Sequence, residues 1–247
     1  FFFFFSELAD FEVELSLALF ARFQTSVFSI FSSDSKLNTS VQLHFQKLFH
    51  PLLPRQQVIA NSFAFTDSHQ LGLLTGSNMA GKSTFLRTVG VNQVLAQMGA
   101  PVFAENLTTS FFKIESCIQV SDSLRDGFSY FYAEILRIKE ILNQAKSETP
   151  TLVLIDEIFR GTNNDERRIG SEAILKNLLY PGVRGFVSTH DLELTRLATN
   201  ELRMYNLHFR EHVEGTKMLF DYKLHHGPCP TTNALKLMRA AGLPVET

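Results

Sequence analysis

The chain has 247 residues, 45% of them apolar and 19% charged, with a formal net charge of -2. That length and apolar content suit one large α/β domain with a buried core and a small appendage, while the charge excludes a global basic field directed at nucleic acid. The two cysteines, Cys117 and Cys229, lie far apart without metal-ligand spacing, which suits reduced thiols in a reducing compartment.

The run Phe1 to Phe5 has no basic flank, no small-residue cleavage site and no initiator methionine, so it reads as an internal cut point of a longer protein. No apolar stretch reaches the roughly 20 residues of a bilayer span, because Ser6, Glu7 and Asp10 interrupt the first candidate, and a soluble protein is expected. Residues 6–24 place Leu8, Phe11, Leu15, Ala18 and Leu19 on a helical period, which predicts an amphipathic helix, and the Ser-rich residues 25–39 predict a loop. Together they make residues 1–40 a connector from an upstream region, ahead of one domain over 41–247.

Short strands are predicted at 41–45, 58–65 and 71–75, with a turn at 51–54, followed by a helix over 83–98. A β-like run at 111–120, a helix over 130–146 and a wholly apolar strand at 151–155 come next. Then come a helix over 166–179, a buried strand at 185–189, a short helix at 192–197 and two or three antiparallel strands within 202–224. A last helix over 232–241 is stopped by Gly242 and Pro244. Strands alternating with helices predict a three-layer α/β fold with a mostly parallel sheet and an antiparallel portion.

Gly76-Ser77-Asn78-Met79-Ala80-Gly81-Lys82-Ser83-Thr84 fits G-x-x-x-x-G-K-[ST] at every fixed position, between a predicted buried strand and a predicted helix. In that context backbone N–H groups and the positive end of the helix surround phosphates, Lys82 neutralises the outer two and Ser83 offers a hydroxyl to magnesium. Leu152-Val153-Leu154-Ile155-Asp156-Glu157 brings two carboxylates to the C-terminal edge of a buried strand. Asp156 then holds the magnesium and Glu157 accepts a proton from the water that attacks the terminal phosphorus. Phe186-Val187-Ser188-Thr189-His190-Asp191 repeats the pattern with His190 as sensor of the terminal phosphate.

These three segments, including Asn78-Met79 and Asp156-Glu157-Ile158-Phe159-Arg160-Gly161-Thr162-Asn163, resemble the ATPase domain of the MutS mismatch repair family over nearly the whole chain. The resemblance implies a P-loop NTPase fold of the ABC type, with ATP and Mg2+ as ligands and hydrolysis to ADP and phosphate. Phe49-His50-Pro51 resembles the start of the domain. Val58-Ile59-Ala60-Asn61 resembles the segment against which adenine packs, so Val58 and Ile59 are the adenine contacts, although strand core would look the same. Tyr222 falls where a ring closes the other face of the base. Ser129, within Asp126-Gly127-Phe128-Ser129-Tyr130-Phe131, stands in the signature loop that meets the γ-phosphate bound by an opposite subunit. This chain departs from relatives there, which carry a small or basic residue beside Ser-Thr-Phe, and Ser129 also suits a helix N-cap. Asn163 and Asn164 resemble the loop that links the two sites across a dimer. The implied partners are a second copy or homologous subunit, and DNA through upstream domains, in the cytoplasm. A transport or chromosome-organising cassette of the same fold lacks support, since no Leu-Ser-Gly-Gly-Gln stretch occurs. A non-catalytic nucleotide-binding scaffold is the other alternative.

Overall fold

Apolar runs flanked by turn residues form strands that are covered on both faces, and these strands decide the architecture. The computed structural model describes residues 2–22, 26–31, 41–77, 79–118, 130–159, 163–199, 201–214 and 217–230. In chain order the elements are α1 (Phe2–Arg22), β1 (Ile30–Phe31), β2 (Leu43–Leu48), a 3₁₀ turn (Arg55–Gln57), β3 (Asn61–Ala64), β4 (Leu71–Thr75) and α2 (Lys82–Gln97). They continue with β5 (Asn106–Thr109), β6 (Lys113–Cys117), α3 (Tyr130–Ala145), β7 (Thr151–Asp156), α4 (Asn164–Asn177), β8 (Val183–Ser188), a 3₁₀ helix (Leu192–Leu197), β9 (Met204–Glu214) and β10 (Lys217–His226).

Six strands form one sheet in the order β10-β9-β4-β8-β7-β6. Every neighbouring pair is parallel except β9 with β10. β4, β7 and β8 are buried along their whole length. Alternation of side chains sends Leu74, Leu152, Leu154 and Phe186 to a core shared with α2. It sends Leu73, Val153, Ile155 and Val187 to a second core shared with α3 and α4. A smaller sheet, ordered β1-β5-β2-β3, adds Leu43, Phe45 and Phe63 to the first core, on the α2 side. The register pairs Leu74 and Asp156 each with Ser188, so β4, β8 and β7 end level with one another.

The mixed α/β class and the antiparallel edge therefore follow the prediction. Four local expectations do not. β9 pairs parallel with β4 as well as antiparallel with β10, which makes it part of the main sheet. β5 and β1 form where no strand and a loop were expected, because β5 gains its partners from β2 and β1 rather than from an apolar run of its own. Strand β3 starts at Asn61, and Val58 to Ala60 are irregular. α1 begins at Phe2, and its apolar Leu8, Phe11, Leu15 and Leu19 remain exposed, while Phe20 meets Phe103 edge to face at 4.8 Å. The helix predicted at 232–241 lies outside the described residues. Among the described residues no helix is long and apolar enough to cross a membrane.

Candidate functional site

The glycine loop leaves β4 at Thr75, whose hydroxyl donates to the Leu207 carbonyl at 3.2 Å and accepts from the Cys229 N–H at 3.2 Å. Gly76 and Gly81 then take φ of +135° and +107°, in the region where a side chain is strained. A Cβ at Gly76 would in addition stand 2.8 Å from the Phe209 carbonyl oxygen. Met79 also has positive φ and is exposed, and Ala80 is buried. Asn78 lies outside the described residues. Gly81 caps α2 without a side chain, which leaves the first N–H groups of the helix as hydrogen-bond donors for an anion. Lys82, 6% exposed, donates from Nζ to the Gly76 and Ser77 carbonyls at 2.8 Å each, which draws its ammonium across the loop. The Ser77 hydroxyl is buried, with no hydrogen-bond partner among the described residues.

Next to the loop, Ser83 Oγ donates to Asp156 Oδ2 at 2.7 Å and Ser188 Oγ donates to Asp156 Oδ1 at 2.7 Å. Residues from α2, β7 and β8 are thereby joined through one carboxylate. Glu157 leaves the end of β7 with φ of +66°, and its Oε2 stands 4.0 Å from His190 Nε2 beyond the end of β8. Ser83, Asp156, Glu157 and His190, together with Lys82, Thr84 and Arg87, line a polar cleft of about 640 Å³. Arg87 escaped the sequence reading, although its place one turn after Ser83 on α2 puts the two on one helix face. Among the described residues no group of three His, Cys, Asp or Glu side chains is placed to hold a metal ion by itself. The oxygens of Ser83 and Asp156 thus fit a hard divalent cation such as Mg2+ that takes its other ligands from water and phosphate.

A second cavity, of about 580 Å³, adjoins the first and is mostly apolar, with walls from Phe49, Val58, Ile59, Phe85, Phe209 and Tyr222. Gly81, Thr84 and Tyr222 border both. Val58 and Ile59 are wall residues of a loop, not strand core, and Ile59 is 41% exposed. Tyr222 sits in the bulge of β10 between Phe220 and Leu224 with φ of +52°. A Cβ on Gly81 would stand 3.2 Å from its ring. Asn61, the first residue of β3, holds that bulge: Nδ2 donates to the Tyr222 carbonyl at 3.1 Å and Oδ1 accepts from the Leu224 N–H at 2.7 Å. Within the bulge Asp221 accepts from the Lys223 N–H at 3.0 Å and pairs with His225 at 2.7 Å. Burial pushes the Asp221 carboxyl up, but these hydrogen bonds and the His225 charge hold it below the usual carboxylate value. Burial, aided by the Arg87 charge, lowers the pKa of His50 at the far wall.

Lys82, Ser83, Asp156, Glu157 and His190, scattered along the sequence, are thus brought to one cleft, and Val58, Ile59 and Tyr222 to the cavity beside it. Ser129 lies outside the described residues, as do Arg160, Gly161 and Thr162. Asn163 is the N-cap of α4, its Oδ1 accepting from the Glu166 N–H at 2.9 Å, and Asn164 accepts from Arg167 at 3.0 Å, so both side chains serve the first turn of that helix.

Residues 72–247 match the protein family described as MutS domain V. The chain belongs to the MutS family. It is 34% identical over 201 residues to Endonuclease MutS2 of Thermus thermophilus, across 81% of this chain and 26% of that protein. It is 30% identical over 242 residues to DNA mismatch repair protein MutS of Streptococcus equi, across 97% and 28% of the respective chains. It is also 34% identical over 207 residues to MutS protein homolog 4 of Mus musculus, across 79% and 21%. The chain therefore spans about a quarter of the length of these MutS relatives.

Proposed function

We propose that this chain is the ATP-binding and hydrolysing domain of a MutS-like DNA repair protein, with a P-loop fold of the ABC type over residues 41–247 and a connector over 1–40. The observation that carries the reading is the joining of Ser83, Asp156 and Ser188 through one carboxylate, beside the glycine loop and beneath the Glu157–His190 pair. A magnesium ion at Ser83 and Asp156 would neutralise triphosphate charge and fix the orientation of the terminal phosphoryl group. Lys82 turns from the Gly76 and Ser77 carbonyls to the outer phosphates, while the loop N–H groups and the start of α2 bind the rest, Asn78 included. Glu157 takes the proton of the attacking water, and His190 orients that water or donates to the terminal phosphate. Val58 and Ile59 hold one face of adenine and Tyr222 the other, which matches an apolar cavity opening from a polar one.

The bound triphosphate also meets Ser129 of a second copy or homologous subunit. Contacts to both protomers at once favour the closed dimer by differential affinity, and hydrolysis removes them. Upstream domains hold DNA, and the protein works in the cytoplasm as a DNA-associated switch. The names of the relatives include both mismatch repair proteins and an endonuclease, so mismatch repair or the processing of another DNA structure follows from the same module. The test is the light-scattering mass of the Glu157→Gln chain with and without Mg2+ and ATP. A dimer that forms only when Mg2+ and ATP are present supports the composite site. A mass indifferent to bound ATP removes the switch and leaves a static nucleotide ligand.

A further inference from the structure

Among the described residues Glu134 is the most deeply buried carboxylate, at 1% exposure, and it does not line the cleft. Its Oε1 accepts a 2.7 Å hydrogen bond from the backbone N–H of Phe159, two residues beyond Glu157. Both Glu157 and Phe159 have left-handed φ, +66° and +59°, a conformation that side-chain-bearing residues keep only where their surroundings impose it. The surroundings are explicit. The Phe159 ring meets Phe131 edge to face at 5.7 Å, one turn before Glu134 on α3. On its other side is Gly170 of α4, where an added Cβ would come within 2.7 Å of the ring. One turn after Glu134, Arg137 fixes α3 to β6 by donating to the Ser116 carbonyl at 2.9 Å and the Glu115 carboxylate at 2.8 Å. Ile138 and Ile141 bury the same stretch of helix against the sheet. The sheet edge thus holds α3, α3 holds the Phe159 N–H, and that N–H ends the turn from which Glu157 projects.

We propose that Glu134 is a positioning residue for Glu157: by accepting the Phe159 N–H it sets the turn that aims the Glu157 carboxylate into the polar cleft. The proposal rests on the reading of Glu157 as the general base. It predicts a loss in the chemical step without a loss in nucleotide affinity, since Glu134 lines neither the polar cleft nor the apolar cavity. A glutamine keeps the acceptor oxygen and is expected to keep the function, whereas alanine removes it. Methionine fills the space without the acceptor and carries the test if the alanine variant does not fold.

The experiment measures single-turnover ATP hydrolysis with Mg2+, and the affinity for a non-hydrolysable ATP analogue, in the 247-residue chain and its variants. Glu134→Ala or Glu134→Met is expected to slow hydrolysis roughly 10- to 100-fold, the scale of a catalytic group misplaced by about 1 Å, with affinity within about twofold of wild type. Glu134→Gln is expected near the wild-type rate. In a Glu157→Gln background the Glu134→Ala change is expected to add nothing, because a positioning residue has no further effect once its target is gone. A wild-type rate in Glu134→Ala, an equal loss in both backgrounds, or affinity falling in step with rate overturns the proposal while leaving the base intact. A Glu157→Gln chain that hydrolyses normally, or a wild-type chain that binds ATP without hydrolysing it, overturns the base reading and the proposal with it.

Discussion

The Lys82 ammonium is claimed twice, by the Gly76 and Ser77 carbonyls that it now bridges and by the phosphates proposed to replace them. Charge-assisted hydrogen bonds are worth about 1.5–3 kcal/mol each, so exchanging two of them for bonds to phosphate is favourable only through the greater charge of the new acceptor. Lys82→Ala removes that exchange altogether. Affinity for Mg-ATP is expected to fall by roughly 10²-fold or more, the equivalent of about 3 kcal/mol, with the fold retained because the loop is also shaped by its glycines. A titration with a fluorescent ATP analogue reads this directly, and an unchanged dissociation constant would take Lys82 out of the phosphate site. At this scale the sequence was informative wherever spacing is set by local backbone. Lys82 and Ser83 follow a fixed loop, and Asp156 and Glu157 follow a buried strand end, so the motif alone places all four side chains at one cleft. Arg87 and Glu134 carry no such mark, since their places come from which helix face meets which strand.

Among the elements, β3 and β10 are far apart in sequence and meet through the Phe63–His226 ring contact at 6.1 Å and through Asn61. Asn61 bonds the Tyr222 carbonyl and the Leu224 N–H, which fixes the bulge of β10 at a set distance from Ile59 and so sets the width of the apolar cavity. Asn61→Ala leaves the glycine loop untouched. It is expected to weaken ATP binding about tenfold, the effect of losing two neutral hydrogen bonds at the cavity wall, while the affinity for inorganic triphosphate stays the same. Equal weakening of both ligands in a competition assay would show that the change disturbs the loop and that the bulge does not define a base site. Elements were legible in proportion to how self-sufficient they are. β4, β7 and β8 are apolar runs that need cover on both faces, and β4 was predicted to the residue. β5 has one fully apolar residue, Leu107, and owes its state to β2. Thr109 in β5 is buried through a hydrogen bond to Gln93 Oε1 at 2.7 Å that no local pattern announces. The parallel pairing of β9 was hidden for the same reason, because its neighbour β4 lies far away in sequence.

For the whole molecule, burial lowers the pKa of two histidines, His50 and His208, and this makes stability depend on pH in a predictable direction. His208, on β9, donates from Nδ1 to the Gly227 carbonyl at 2.8 Å and accepts at Nε2 from Arg210 at 3.1 Å, an arrangement that protonation of Nε2 would break. Burial lowers its pKa from the ordinary 6.5; the Gly227 carbonyl and Asp221 oppose the shift, and Arg210 and His225 add to it. His50 accepts the Leu52 N–H at 3.2 Å through Nδ1, and burial followed by the Arg87 charge lowers it too. With folded pKa values below the unfolded one, the unfolded chain binds protons first as pH falls. The stabilisation is complete above about pH 6.5 and is lost as pH drops from there through the folded values. Asp221, also held below its ordinary value, contributes with the same sign but further down, from about pH 4. Thermal melts are therefore expected to hold a constant midpoint between about pH 7 and 8 and to decline below about 6.5. The chain with both His50→Gln and His208→Gln should show a shallower decline over that upper window, with the lower one unchanged. A double variant whose midpoint falls as steeply as wild type between about pH 6.5 and 5 would place the acid sensitivity elsewhere in the fold.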